Sequence, residues 1–239
     1  MAGHSKWAKI KRDKGANDAK RGAIFTRIGK QIAIAARKGT DPSMNPALAL
    51  AIEKAKAANM PNSNIQRAID RVNDKNAAAL EEITYEAYGP GGAGLIIEAA
   101  TDNRNRTLPE IKTALVKNGG QIADSGSVMF QFMRRGVIRV DSTGEEALLT
   151  VLDAGAEDAN EEENEIIVYT NQKDLAKVRQ SIIDAGLKVI EAELQYIANN
   201  EVEINDSELA RKMIKLMDVL DEVDDIVNVY TNADITVEL

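Results

Sequence analysis

The period of the apolar residues changes once, near Glu82, and that change constrains the fold more than any other feature of the chain. Before it, apolar side chains recur at helical spacing. After it, short strand-like runs alternate with helical ones. One packed layer cannot serve both parts, so the sequence predicts a helical bundle followed by mixed α+β units. Charge divides at nearly the same place. The 239 residues carry 30 Lys/Arg against 38 Asp/Glu, a net of −8. Residues 1–75 hold 16 Lys/Arg and 6 Asp/Glu, a net of +10, which leaves 14 against 32, a net of −18, for residues 76–239. The average hides a basic surface working beside an acidic body.

The helical part reads as three segments. From about Asn17 to Lys38, Ile24, Phe25, Ile28, Ile32 and Ala35 fall within about a 100° arc at 100° per residue, with Lys20, Arg27, Lys30, Arg37 and Lys38 largely opposite. Gly39 is a suitable stop. Asn45-Pro46 is an N-cap followed by proline at the first helical position, and it opens a helix with Leu48, Ile52 and Ala55 on one face. A third, short helix follows Asn62-Ser63, with Ile65, Ala68, Ile69 and Val72 as its stripe. NDKNAAALEE reads as a linker or frayed helix end.

Beyond Glu82, residues 83–88 and 95–101 form two strands around the turn signal Gly89-Pro90-Gly91-Gly92. Thr107-x-x-Glu110 reads as a capping box opening a helix to about Lys117. Residues 127–132 and 136–141 read as two strands split at Arg134-Arg135-Gly136. A helix near Glu145–Ala154, a strand at 165–170, a helix Lys173–Asp184 and a strand at 187–197 follow, with room for another strand before Glu165. That order fits a ferredoxin-like βαββαβ unit. The last segment repeats strand, helix from about Ser207 to Leu220, and strand. Val168-Tyr169-Thr170-Asn171 recurs as Val229-Tyr230-Thr231-Asn232, and residues 95–103 hold a looser copy. Either strands ending in a Thr-Asn cap resemble one another by chance, or two related α+β domains are present.

Absences exclude several chemistries. The chain has no cysteine, so disulfides, thiolate nucleophiles and Cys-ligated metals are ruled out. Its one histidine, His4, allows neither a multi-His metal site nor an internal His-centred triad. No apolar run approaches the roughly 20 residues of a membrane span, and no apolar stretch follows the basic start as in a secretory signal. The expected location is the cytoplasm. No enzyme motif is present and no cofactor is expected.

The basic start carries the chemistry. Lys6, Lys9, Lys11, Arg12 and Lys14 surround Trp7, the sole tryptophan, joining phosphate neutralisation to a stacking platform. With Lys20, Arg27, Lys30, Arg37 and Lys38 they form the expected nucleic-acid-binding set. Arg104 and Arg106, in a loop beside a helix start, are candidates for a second phosphate contact. The turn at Asn59–Ser63 resembles helix-turn-helix only weakly, because the third helix is short and carries just Arg67 and Arg71. The glycine run at 89–94 lacks phosphate-loop spacing and reads as a hairpin. Glu157 to Glu165 reads as a solvated acidic loop. Residues 136–205 carry 5 Lys/Arg against 16 Asp/Glu, which suits a basic protein partner. If Met1 is removed, Ala2-Gly3-His4 presents a nitrogen set that suits Cu(II) or Ni(II). An incidental terminus without metal is the plainer reading, and no metal site is assigned.

AGHSKWAKIKRDKGANDAKRGAIFTRIGKQI at the start, NPALALAIEKAKAANMPNSNIQRAI, YEAYGPGGAGLIIEAATDNRNRT and KNGG…GSV resemble the YebC/PmpR family, over essentially the whole chain and most specifically in residues 2–135. The resemblance implies a multidomain α+β protein: a three-helix domain with its basic arm at 1–78, a discontinuous ferredoxin-like domain at 79–135 plus 201–239, and an acidic one inserted at 136–200. It implies a DNA-binding transcriptional regulator. The family is also similar to a mitochondrial translational activator and is connected with ribosomes stalled at proline-rich stretches. The alternative is therefore a ribosome-associated translation factor that binds ribosomal RNA and meets basic ribosomal proteins. The start at the GHSKW motif, with no presequence, suits a bacterial cytoplasmic member.

Overall fold

The computed structural model describes residues 18–74 and 78–237, with side chains described from Gly22 onward. The N-terminal unit is three helices: α1 Asp18–Ala36, α2 Pro46–Ala57 and α3 Asn62–Asp70. None buries enough apolar surface alone. Together they enclose Ile28, Ile32, Leu48, Ala55, Ile65 and Ile69. Asn45 joins two of them. Its side-chain oxygen accepts from the Leu48 N–H at 3.2 Å, and its amide donates to the Ala35 and Gly39 carbonyls at 2.8 Å each. One residue therefore caps the start of α2 and satisfies the end of α1.

The period change marks the first sheet, built from β1 Glu81–Tyr88 and β2 Gly94–Thr101. They pair antiparallel from Glu81↔Thr101 to Tyr88↔Gly94. The turn between them holds Gly91 and Gly92 at φ 75° and 78°, a region that glycine occupies without strain. Helix α4, Arg104–Lys117, and β3, Gln121–Ile122, follow. The chain then leaves for a second sheet through β4 Phe132–Val140, α5 Glu145–Asp153, β5 Asp158–Glu162, β6 Glu165–Thr170, α6 Leu175–Asp184 and β7 Val189–Ala198. It returns through β8 Val202–Ile204, α7 Ser207–Asp221, β9 Ile226–Thr231 and β10 Ala233–Ile235. The sheet orders are β3-β1-β2-β9 and β5-β6-β4-β7, with β10 and β8 forming a parallel pair.

The second sheet has the strand order expected of βαββαβ, with α5 and α6 packing Val151, Val178 and Ile182 onto Ile138, Ile166 and Val168. In the first sheet a hairpin comes first and α7–β9 completes it from the far side of the second sheet. Helices α4 and α7 bring Leu115, Met213, Leu216 and Leu220 against Leu95 and Ile97. Burying each such side chain contributes roughly 1.5–3 kcal/mol. Among the described residues no helix is long and apolar enough to cross a membrane.

Four local expectations change. Helix α4 starts at Arg104, because the Asn103 side chain accepts from the Asn105 and Arg106 N–H groups. Thr107 lies inside the helix, its hydroxyl turned to Asp225. Residues 129–131 form a 3₁₀ turn, and β4 runs unbroken through Arg134-Arg135-Gly136. The boundary read at 135/136 thus falls inside a strand. The turn is braced from below by Glu86, whose carboxylate accepts from the backbone N–H groups of Gly126, Val128 and Met129 at 2.5–2.7 Å. Finally, Asp158–Glu162 is strand β5, which fills the room left for a strand before Glu165 and displaces the reading of those acidic residues as a loop. It is an edge strand, where charged side chains are tolerated and deter further pairing.

The repeated tetrapeptide ends β6 in one copy and β9 in the other, but its asparagines do different work. Asn232 accepts from the Gly94 N–H at 2.7 Å and so locks β9 to β2, whereas Asn171 accepts from the Lys173 N–H at the approach to α6.

Candidate nucleic-acid interface

The expected binding residues divide into three groups. Lys6, Trp7, Lys9, Lys11, Arg12 and Lys14 lie outside the described residues, as does the side chain of Lys20. Arg27 and Lys30 are described and face inward, whereas Arg37 is exposed and reaches back to the Leu80 carbonyl. Lys38 is described and exposed.

The inward group follows from the geometry of α1. Its apolar stripe is fixed against α2 and α3, so the opposite face is presented to the rest of the chain. There it meets the C-terminal end of α7, whose terminal carbonyls and dipole favour cations. Arg27 donates to the Asp221 carbonyl at 2.6 Å and lies 3.5 Å from its carboxylate. Lys30 Nζ donates to the Asp224 carbonyl at 2.8 Å and to Asp225 Oδ1 at 2.6 Å. Arg37 donates to the Leu80 carbonyl at 2.7 Å. The face read as a phosphate grip is here a joint between the basic unit and the acidic body.

Asp225 is the centre of that joint. It is 3% exposed. Besides Lys30, it accepts from Arg106 at 2.7 Å, Thr107 at 2.7 Å and Thr101 at 3.0 Å. Burial alone would push its pKa up. The hydrogen bonds from Lys30, Arg106 and Thr107 and the charge of Lys30 outweigh burial and hold it well below the ordinary aspartate range. Arg106, a candidate phosphate contact, is thus bound to Asp225 and also lies 3.2 Å from Asp102. Arg104 pairs with Glu81 at 2.5 Å on an exposed surface.

A second joint involves residues the sequence reading did not single out. Lys54 of α2 pairs with Glu193 and, at 3.4 Å, Glu191 on β7. Burial would lower the Lys54 pKa, but the two carboxylates keep it above its ordinary value. Glu53 pairs with Arg179 of α6 at 2.6 Å. Their only sequence signal was opposite charge on segments more than 120 residues apart.

What remains for a phosphate is now definable. Lys38, Lys56, Arg67 and Arg71 are exposed and make no ion pair with a described residue. Lys38 lines a cleft of about 850 Å³ between α1, α2 and the two sheets, with Lys173, Arg134 and Tyr196 on its walls beside Glu82 and Glu98. The Arg134 guanidinium lies 5.6 Å from the centre of the Tyr196 ring. Among the described residues no three His, Cys, Asp or Glu side chains come together as a metal site.

These features define a multidomain α+β protein in which a cationic helical unit is mounted on two acidic sheet units. Residues 5–75 match the model of the TACO1/YebC N-terminal domain, and residues 80–233 match that of the TACO1/YebC second and third domain. The chain belongs to the TACO1/YebC family. It is 46% identical over 246 residues to a "Probable transcriptional regulatory protein" of Halothermothrix orenii, covering 100% of this chain and 97% of that one. A protein of the same description from Roseiflexus castenholzii is 48% identical over 249 residues, with coverage of 100% and 97%. The crystal structure of a conserved hypothetical protein from Aquifex aeolicus superposes with a TM-score of 0.86 at 39% identity, over 93% of each chain. Relatives across the family carry regulatory names, and the chain is a regulator by that resemblance.

Proposed function

We propose that this protein is a non-enzymatic, cytoplasmic regulator of gene expression that binds DNA through the phosphate backbone. One observation carries the reading. Once the internal pairs are set aside, the helical unit still holds Lys38, Lys56, Arg67 and Arg71 exposed, and residues 1–17 add Lys6, Lys9, Lys11, Arg12 and Lys14. Such a set grips phosphate without reading base sequence, and Trp7 adds a stacking surface. Arg27, Lys30 and Arg37 position the unit, and the acidic sheets keep phosphate away from the rest of the molecule.

A second reading is a translation factor whose same cations contact ribosomal RNA. The 16 Asp/Glu against 5 Lys/Arg in residues 136–205 favour it, because that surface suits basic ribosomal proteins. Crosslinking from Lys6–Lys38 in cells separates the two: promoter DNA supports the first, ribosomal RNA the second, and neither sinks both. In vitro, replacing Lys9, Lys11, Arg12 and Lys14 with Ala is expected to weaken binding to duplex DNA and flatten its salt dependence by up to about four counterions, leaving thermal unfolding unchanged. Fluorescence anisotropy across a salt series makes the measurement. Unaltered affinity and slope would refute the role of these residues.

A further inference from the structure

The cleft of about 850 Å³ where the three units meet has the size of a small-ligand site. Its apolar lining is made largely of small side chains: Ala35 and Ala51 of the helical unit, Ala99 and Ala100 of β2, and Ala192 of β7. Its charged lining differs from the body around it. Among the described residues, five cations and three carboxylates line the cleft, in a chain whose net charge is −8. Two of those carboxylates are already engaged. Glu98 accepts from Asn228 at 2.9 Å and from Tyr230 at 3.3 Å, and Glu193 pairs with Lys54 and accepts from Gln195 at 2.7 Å. The cations are less committed. Lys38 and Lys173 are exposed, and neither ammonium group has a partner among the described residues. Arg37 gives its hydrogen bond to a neutral carbonyl, that of Leu80. An anion entering the cleft therefore meets uncompensated positive charge.

Arg134 supplies a second element. Its guanidinium lies 5.6 Å from the centre of the Tyr196 ring and 3.8 Å from Glu98, and its side chain is 43% exposed. Tyr196 is braced in turn by Tyr230, with ring centres 5.5 Å apart and planes at 68°. An arginine supported by an aromatic ring and still open to solvent is a stacking surface for a nucleobase. Gln31 and Gln172, also on the lining, carry amides that both donate to and accept from a base edge. We propose that this cleft binds a nucleotide unit, with its base against Arg134 and Tyr196 and its phosphate at Lys38 and Lys173. The same chemistry comes from a free nucleotide or from one residue of a single strand. Either occupant touches all three units at once and fastens the helical unit to both sheets. The site does not rest on duplex binding, with which it shares only Lys38.

Adenosine 5′-monophosphate and a single-stranded oligodeoxyadenylate, titrated separately into the full ¹⁵N-labelled chain, test the site through its backbone amides. At least one probe is expected to shift the amides of Lys38, Lys173 and Tyr196 together, and the tighter of the two identifies the source. Lys173→Ala and Arg134→Ala should each weaken the binding read at those amides at least about fivefold, through loss of a phosphate contact or of a stacking surface. Both variants should keep the parent's thermal unfolding and its affinity for duplex DNA. Lys173 has no described partner to lose, so its variant reads the site without disturbing the fold. Three results would overturn the proposal: silent cleft amides with both probes, parent affinity in both variants, or the same shifts with inorganic phosphate at equal concentration, which marks an adventitious ion only. If the cleft amides respond while duplex anisotropy stays flat, the site stands and the DNA reading fails. A normal duplex response with silent cleft amides is the reverse.

Discussion

Asp225 and Glu86 are both buried carboxylates of the first sheet unit, and the molecule neutralises them in opposite ways. Glu86 takes three backbone N–H groups from a loop 40 to 43 residues away. Asp225 takes side chains from other elements, with Lys30 195 residues away and Arg106 119 residues away. Backbone donors hold one loop in shape. Side-chain donors, two cations and the Thr101 and Thr107 hydroxyls, let a single carboxylate hold the helical unit, the start of α4 and the end of β2 together. The difference teaches how the charge division in the sequence is used: part of it faces solvent, and part is spent inside as a joint.

The largest effect should come from Asp225→Ala, which leaves Lys30 facing a vacated partner. A loss of about 3–5 kcal/mol in urea unfolding is expected, with faster amide exchange along α1. A loss below about 1 kcal/mol, on the scale of an exposed pair, would break the comparison. Glu86→Ala should cost less, about 1–3 kcal/mol, because part of the freed loop can turn to water. Its raised exchange should be confined to the segment from Gly126 to Met129, and spread into α1 would show that the two sites are not separate.

Acid sharpens the contrast. Burial opposes ionisation at both sites, and hydrogen bonds more than compensate, so both folded pKa values lie below the ordinary 3.8 for Asp and 4.5 for Glu. A depressed folded pKa stabilises fully above the ordinary value and is lost as pH falls through the folded one. The urea midpoint of the parent should therefore fall below about pH 4, and less steeply in the Asp225→Ala variant. Equal slopes would remove Asp225 from the acid response. The smallest effect is Arg104→Ala, within about 0.5 kcal/mol, since its pair with Glu81 is exposed on both sides.

Elements whose signal is local were legible in the sequence. The stripe of α1, the Asn45-Pro46 start of α2, the glycine hairpin and the alternation through β6, α6 and β7 all rest on neighbours within a few turns. The role of Arg27 and Lys30 was not legible. Periodicity identifies an apolar face, but a polar face looks the same whether it meets water or carbonyls and a carboxylate 194 to 195 residues away. Strand β5 was half legible: the βαββαβ order left room for a strand before Glu165, but an edge strand with one open side accepts the residues DANEE, which also suit the acidic loop read there. The turn at 129–131 depends on Glu86, a partner distant in sequence. The site was legible as charge, and its division into joint and free surface was not.

The return of the chain to complete the first sheet also sets a timetable for synthesis. Register pairs Leu95 with Thr231 and Ala99 with Ile226, so β2 finds its outer partner only 127 to 136 residues later. The strands β4 and β7 are 49 to 66 residues apart. A nascent chain made from its N-terminus can therefore close the second sheet once Ala198 is out, while Leu95, Ile96 and Ile97 still present an open, sticky edge. Strand β9, the last of the first sheet, begins only 28 residues afterwards. Slowing or truncating translation in that interval should leave a half-built protein whose acidic unit is finished and whose first sheet is the part that aggregates.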